Sequence, residues 1–156
     1  IDLCKQYYVI TAVDPKRKHF FRYKEVDIFK PNLKEAREAL NLLRDETDLQ
    51  FLRDIHRRLK EQLAHRISFI TLSEKGVFYE DEETAAMVGS HVRNVADVSG
   101  AGDTVIAVAT LMYALTKDVK QMAEVANLAG GLVCESVGTV AIDKQRLLRE
   151  CQRILI

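Results

Sequence analysis

Apolar runs and periodic polar segments alternate along this chain in an order that predicts a layered α/β fold. Tyr8–Val13 (YVITAV) is an apolar, β-rich run halted by Asp14-Pro15, the signature of a buried strand. Lys16–Lys24 is polar and aromatic and reads as a loop, and Val26–Phe29 is a second short strand ended by Pro31. From Asn32 the spacing turns helical, with Leu33, Ala36, Ala39, Leu40 and Leu43 on one face. A second helix starts near Thr47, where Thr47 and Gln50 have capping-box spacing. Leu49, Leu52, Ile55, Leu59 and Leu63 form its apolar stripe, and Arg53, Arg57, Arg58 and Lys60 its wet side.

Ile67–Leu72 (ISFITL) is the strongest strand pattern. After a turn at Ser73–Gly76, the segments Val77–Tyr79, Ala85–Val88 and His91–Val95 predict a small antiparallel addition with turns at Asp81–Glu83 and Gly89-Ser90. Val105–Leu115 is almost wholly apolar, so its helix is expected to be buried on most sides. Asp118 is placed to cap a helix running toward Gly138, and Asp143 to cap the last one. Strand, helix pair, strand, hairpin and helices in this order predict a parallel core of three strands plus the hairpin. Such a short sheet has an edge that another segment or another chain would cover.

Composition narrows the function. The chain has 156 residues, 47 % hydrophobic and 29 % charged, the mixture of one globular domain. Twenty-three basic residues balance twenty-three acidic ones, which argues against a nucleic-acid-binding body or a polybasic membrane surface. No apolar run approaches the roughly 18 residues of a membrane span, and no signal-peptide pattern opens the chain. Cys4, Cys134 and Cys151 are widely spaced and read as free thiols in a reducing cytoplasm. The four histidines lie apart from any carboxylate or cysteine cluster and read as surface or edge residues. Ile1–Gln6 looks like the end of a helix, so a fragment of something longer is expected.

The chemistry concentrates at Asp97–Thr104 (DVSGAGDT), directly before the apolar helix. Gly100, Ala101 and Gly102 let the backbone turn tightly and leave little side chain between its amides and a ligand. The first amides of a helix have no internal partners and sit at the positive end of its dipole. A phosphoryl group gathering charge suits such a place, and Asp103 in the same turn is placed to accept a proton from an attacking hydroxyl. A plain strand-to-helix turn, its glycines serving packing alone, is the competing reading. The dinucleotide fingerprint is excluded, because Val105 stands where its third glycine belongs, and no GK[ST] follows to make a Walker loop. Asn32 and Glu35 have capping-box spacing, and Thr71–Gly76 follows the strongest strand at the carboxyl end where α/β proteins bind ligands, or forms a simple hairpin turn.

DVSGAGDT resembles the second signature of the ribokinase/PfkB family of carbohydrate kinases, DTxGAGD, with Val98 in place of the common threonine. The resemblance implies a three-layer ribokinase-like (Rossmann-like) α/β fold, of which residues 1–156 would be the C-terminal, nucleotide-binding half. It implies Asp103 as catalytic base and Gly100, Ala101 and Gly102 as the anion hole. Asn32 and Glu35 match the family's NxxE element, which helps organise Mg2+ and the ATP phosphates. Ser73, Glu74 and Gly76 match its nucleotide-bordering turn, with Ser73 where many members have glycine. Asn127 would lie beside the adenine or ribose, the Gly130-Gly131 pair would permit close helix packing, and Asp97 and Ser99 are candidates for a K+ site.

Asp14-Pro15-Lys16, Phe20 and Arg22-Tyr23, with KPNLKE and LSEKG, are similar to the heptose 7-phosphate kinase branch. That branch transfers phosphate to an anomeric hydroxyl in making lipopolysaccharide core precursors. The partners so implied are ATP, a small phosphorylated sugar and, at the sheet edge, the missing half or a second copy in a homodimer. Another PfkB kinase (ribokinase, fructokinase or adenosine kinase) and a non-catalytic nucleotide-binding module are the alternatives.

Overall fold

Alternation along Ile67–Thr71 decides where the sheet sits. Ile67 and Phe69 point to one face and Ser68 and Ile70 to the other, and all four are buried, so this strand is covered on both sides. The structure is a computed structural model describing residues 1–43, 46–91 and 95–155. They form two compact units, residues 1–73 with 77–87, and residues 74–76 with 88–156.

The first unit is built on a five-stranded sheet in sequential order: β1 (Ala12–Val13), β2 (Ile28–Phe29), β3 (Ile67–Thr71), β4 (Val77–Glu80) and β5 (Ala85–Val88). β1, β2 and β3 are parallel and β4 runs antiparallel to β3, so three parallel strands and a hairpin are present as expected. The hairpin turn is held by Asp81, whose Oδ1 accepts from the amides of Glu83 and Thr84 at 2.9 and 2.8 Å. The Tyr8–Val13 strand is shorter than its apolar run. Tyr8 adopts φ 55° and is exposed, and only Ala12–Val13 pairs.

After a first turn of helix, α1 (Asp2–Gln6), the unit carries α2 (Leu33–Ala39) and α3 (Leu49–Leu63). Phe51, Leu52, Ile55, Leu59 and Leu63 of α3 enter one core with Phe29, Ile70 and Phe78 of the sheet. Several local expectations are corrected here. Asp48, not Thr47, caps α3, accepting from the amide of Phe51 at 3.0 Å. Leu49 lies off the buried stripe, and Leu43, beyond the end of α2, is 97 % exposed. Lys16–Lys24 is no simple loop. Arg17–Arg22 forms a 3-10 turn because Phe20 buries itself edge-on against Phe29 at 5.2 Å, a tertiary anchor that polar neighbours conceal. His56 and His65 are buried rather than superficial: His56 lies on the core-facing side of α3, and His65, just past the end of that helix, packs 5.5 Å from the Phe29 ring.

The second unit pairs α4 (Ala101–Thr116) with α5 (Val119–Cys134) and adds α6 (Lys144–Ile154). Asp118 and Asp143 cap α5 and α6 as expected, accepting from Gln121 and Arg146 amides. Every residue from 125 to 134 is buried, the property of a helix apolar on all sides. α4 departs from expectation. Val105, Ala109 and Tyr113 are buried, while Leu111 and Leu115 are 58 % and 73 % exposed, because among the described residues α5 covers one side only. The centre of the expected strand His91–Val95 lies outside the described residues.

Candidate active site

The turn before α4 owes its shape to Gly100. Its φ is +79°, and a Cβ there would stand 2.8 Å from the Thr139 methyl, so both conformation and space demand glycine. No side chain caps the helix, and the Ala101 amide bends back to the Val98 carbonyl at 3.3 Å. Among the described residues the amides of Gly102 and Asp103 have no protein acceptor, so they form a positive surface at the helix start. Asp103 lies exposed in the same turn. Of the three residues expected to form an anion hole, Gly102 keeps a free amide, Ala101 turns its own inward, and Gly100 supplies the bend.

α5 fixes this turn from behind. A Cβ on Gly130 would come within 2.5 Å of the Val105 side chain, so this glycine permits close packing of α5 against α4. Asp97 is bound at several points. Its Oδ1 accepts from the amide and hydroxyl of Ser99 at 2.9 and 2.8 Å, and its Oδ2 from the Gly138 amide at 3.0 Å. These donors, the Ser99 ones foremost, hold the carboxyl below the usual aspartate range. Nearby Cys134 has its thiol pushed up by burial, with a contribution from the Asp97 charge. Asn127 is buried and donates from Nδ2 to the Gly89 carbonyl at 2.7 Å, which ties α5 to the segment after β5.

Glu74 and Gly76 belong to this second unit, and Ser73 ends the first stretch of the other. Ser73 adopts φ 55°, in the left-handed region that favours glycine. Gly76, at φ +94°, would bring a Cβ within 2.0 Å of the Val88 carbonyl, so it lets two backbones touch.

In the first unit the structure joins two of the sequence elements. Asn32 forms a bridge with Thr71, and the Thr71 amide donates to the Pro31 carbonyl at 3.2 Å, so both elements start at the carboxyl end of β2 and β3. Asn32 and Glu35 make the capping box in full: Glu35 N donates to Asn32 Oδ1 and Asn32 N to Glu35 Oε2, both at 2.8 Å. Glu35 Oε1 stays free of those bonds, and the side chain lines a cavity of about 410 Å3 together with Arg17, Lys18 and Arg22. Lys30 was legible only as part of KPNLKE. It is 3 % exposed and pairs with Asp14 at 3.4 Å beside the same strand ends.

Known proteins resemble this chain in sequence and in fold. The family model described as pfkB family carbohydrate kinase matches residues 5–146. The chain belongs to the pfkB family of carbohydrate kinases. This pfkB-family chain is 35 % identical over 140 residues to the bifunctional protein HldE of Campylobacter concisus, covering 89 % of the chain and 29 % of that protein. It thus spans under a third of the length of that relative. Its fold is similar to half of phosphofructokinase-2 from Escherichia coli, solved in complex with substrates and products (TM-score 0.84, 18 % identity, 99 % of this chain and 50 % of that one). The ribokinase of Arabidopsis thaliana, complexed with ribose and ATP, is similar at TM-score 0.81 and 19 % identity, with 95 % and 49 % covered. The three-layer ribokinase-like class expected of the sequence is therefore the right one.

Proposed function

We propose that this chain is the nucleotide-handling part of an ATP-dependent kinase that phosphorylates the anomeric hydroxyl of heptose 7-phosphate. The observation that carries the reading is the uncapped start of α4, with free amides at Gly102 and Asp103 and an exposed carboxylate in the same turn. A helix start of this kind accepts the charge of a phosphoryl group in flight. The heptose assignment is supported by the HldE relatives and by the DPK, KPNLKE and LSEKG segments.

In the reaction Asp103 takes the proton of the sugar hydroxyl while that oxygen forms a bond to the γ-phosphorus of ATP. The bond from phosphorus to the β–γ bridging oxygen breaks, and ADP leaves with its electrons. Mg2+, when bound, neutralises phosphate charge. Glu35 fits it through water: one carboxylate oxygen is committed to the capping box and the other is available. Asp97, whose carboxylate accepts from Ser99 and Gly138, and Ser99 itself are the residues that would lie at a monovalent cation such as K+. The sugar is held by residues outside these 156, in keeping with the half of phosphofructokinase-2 that the chain covers.

Calorimetry with Mg-ATP tests the nucleotide half of the proposal, and turnover of ATP with heptose 7-phosphate by a complete domain carrying this sequence tests the rest. Asp103→Asn should cut that turnover by about a hundredfold or more while Mg-ATP affinity stays within a few-fold. Unchanged turnover rules out Asp103 as the base. Robust turnover by the 156 residues alone refutes the assignment of the sugar site elsewhere.

A further inference from the structure

The Arg17–Arg22 turn carries positive charge that its own surroundings do not neutralise. Arg17, Lys18 and Arg22 lie in it with no acidic residue between them, and among the described residues none of the three makes an ion pair. In α3, by contrast, Arg53, Arg57 and Arg58 each hold a carboxylate. Three like charges within one turn attract an anion.

The same turn gives all of itself to one cavity. A regular 3-10 helix, with about three residues per turn, shows a neighbour one side only. Here the turn kinks at His19, whose φ of −127° is not helical, and every residue from Arg17 to Arg22 lines the cavity of about 410 Å3 beside α2. Phe20 fixes the kinked shape, because its ring is held edge-on by both Phe21 and Phe29. His19 Nδ1 is buried with no partner among the described residues, so the hydrogen bonding of this wall is incomplete in the protein alone. α2 supplies Glu35 and Glu38, and among the described residues neither forms an ion pair with the turn.

We propose that this cavity binds the phosphate monoester of a small polyol, a sugar phosphate being the simplest, as a site separate from the start of α4. All its lining residues belong to the first unit, and the start of α4 belongs to the second. Binding there does not depend on phosphoryl transfer at α4. Each wall selects one part of the ligand. The guanidinium groups of Arg17 and Arg22 hold phosphate oxygens through paired N–H donors, and Lys18 adds a point charge. Glu38 accepts from hydroxyls. With Glu35 beside it, it also repels a second phosphate, so a ligand with one phosphate is the complement of this cavity. Phe21 offers an apolar surface for the C–H face of a sugar ring, and the volume suits a ligand of that size.

The test is calorimetry on the 156-residue chain with glucose 6-phosphate, glucose and inorganic phosphate as probes. Glucose 6-phosphate should bind saturably and at least about tenfold more tightly than either of the others. Arg17→Ala and Arg22→Ala should each weaken it at least about fivefold, with thermal melts like the parent's. Glu38→Ala should leave inorganic phosphate bound no more weakly and cut the advantage of the sugar phosphate at least about threefold. In the parent chain the His19 ring resonances should shift as glucose 6-phosphate is added, a readout that needs no variant. Absence of saturable binding, equal affinity for inorganic phosphate, binding that survives both arginine substitutions, or unmoved His19 resonances overturns the site. Mg-ATP binding and turnover test the start of α4 separately, so failure of either reading is distinguishable from failure of the other.

Discussion

Lowering the pH from 7 to 5 should strip this chain of much of its stability, through two histidines buried on α3's side of the sheet. His56 Nδ1 and His65 Nε2 lie 2.8 and 2.6 Å from the one hydroxyl of Ser68, with the rings 5.7 Å apart. That hydroxyl has one proton, so one ring accepts it and the other donates to the oxygen, an arrangement two neutral rings satisfy. Among the described residues His65 Nδ1 has no partner, and the ring lies 5.5 Å from Phe29, so a second proton there would be an unpaired charge in the core. Burial pushes His56 down to about 4, helped by Lys60 and Arg53 and opposed by Asp81. Burial first, then His56 and Lys60, pushes His65 to about 3.

The sign follows directly. Both folded values lie below the unfolded value of 6.5, so the unfolded chain binds more protons and stability falls as pH drops below that value. Each histidine contributes up to about 1.4 kcal/mol per pH unit, and the pair together about 4 kcal/mol between pH 7 and pH 5. At pH 5 this sum depends on the unfolded value and hardly on how deep the folded values lie. Against a typical 5–15 kcal/mol it is a large share. Glu80, raised by burial and opposite Ser68 across the ladder, works in the other direction and softens the loss. Asp54 and Asp97, with lowered values, give way only below their ordinary 3.8, outside the window.

Urea unfolding followed by circular dichroism at pH 7, 6 and 5 reads the slope, and His65→Leu should halve it by removing one of the two groups. A loss under about 1 kcal/mol over this range, or a slope unchanged in His65→Leu, refutes the argument.

Two further outcomes concern backbone geometry. Ser73→Gly should stabilise the chain by about 1 kcal/mol in thermal melts, because Ser73 holds φ 55° at a cost that glycine does not carry. Gly130→Ala should destabilise by about 1–3 kcal/mol, since the new methyl would stand 2.5 Å from the Val105 side chain; a variant as stable as the parent would mean that α4 and α5 part easily.

What could be read in advance follows from the range of each interaction. The helix capped at Asn32, the strand Ile67–Thr71 and the glycine bend at Gly100 rest on neighbours within a few residues, and each was legible in the chain. The place of Asp103 was legible for the same reason, since bend, carboxylate and helix start lie within one short segment. The 3-10 turn at Arg17–Arg22 was not, because Phe20 finds its reason in Phe29. His56 and His65 looked superficial until Ser68 of the next strand gave them a common partner.

By itself, then, the sequence determined the order of elements, the parallel core with its hairpin, and the position of the aspartate in its turn, because propensity, periodicity and capping act locally. Tertiary structure alone decided that α4 is apolar but covered on one side, that Asn127 is spent on Gly89, and that Asp97 closes a bond to Gly138. Each of these depends on which distant group occupies a few ångströms of space, and no spacing rule along the chain encodes that.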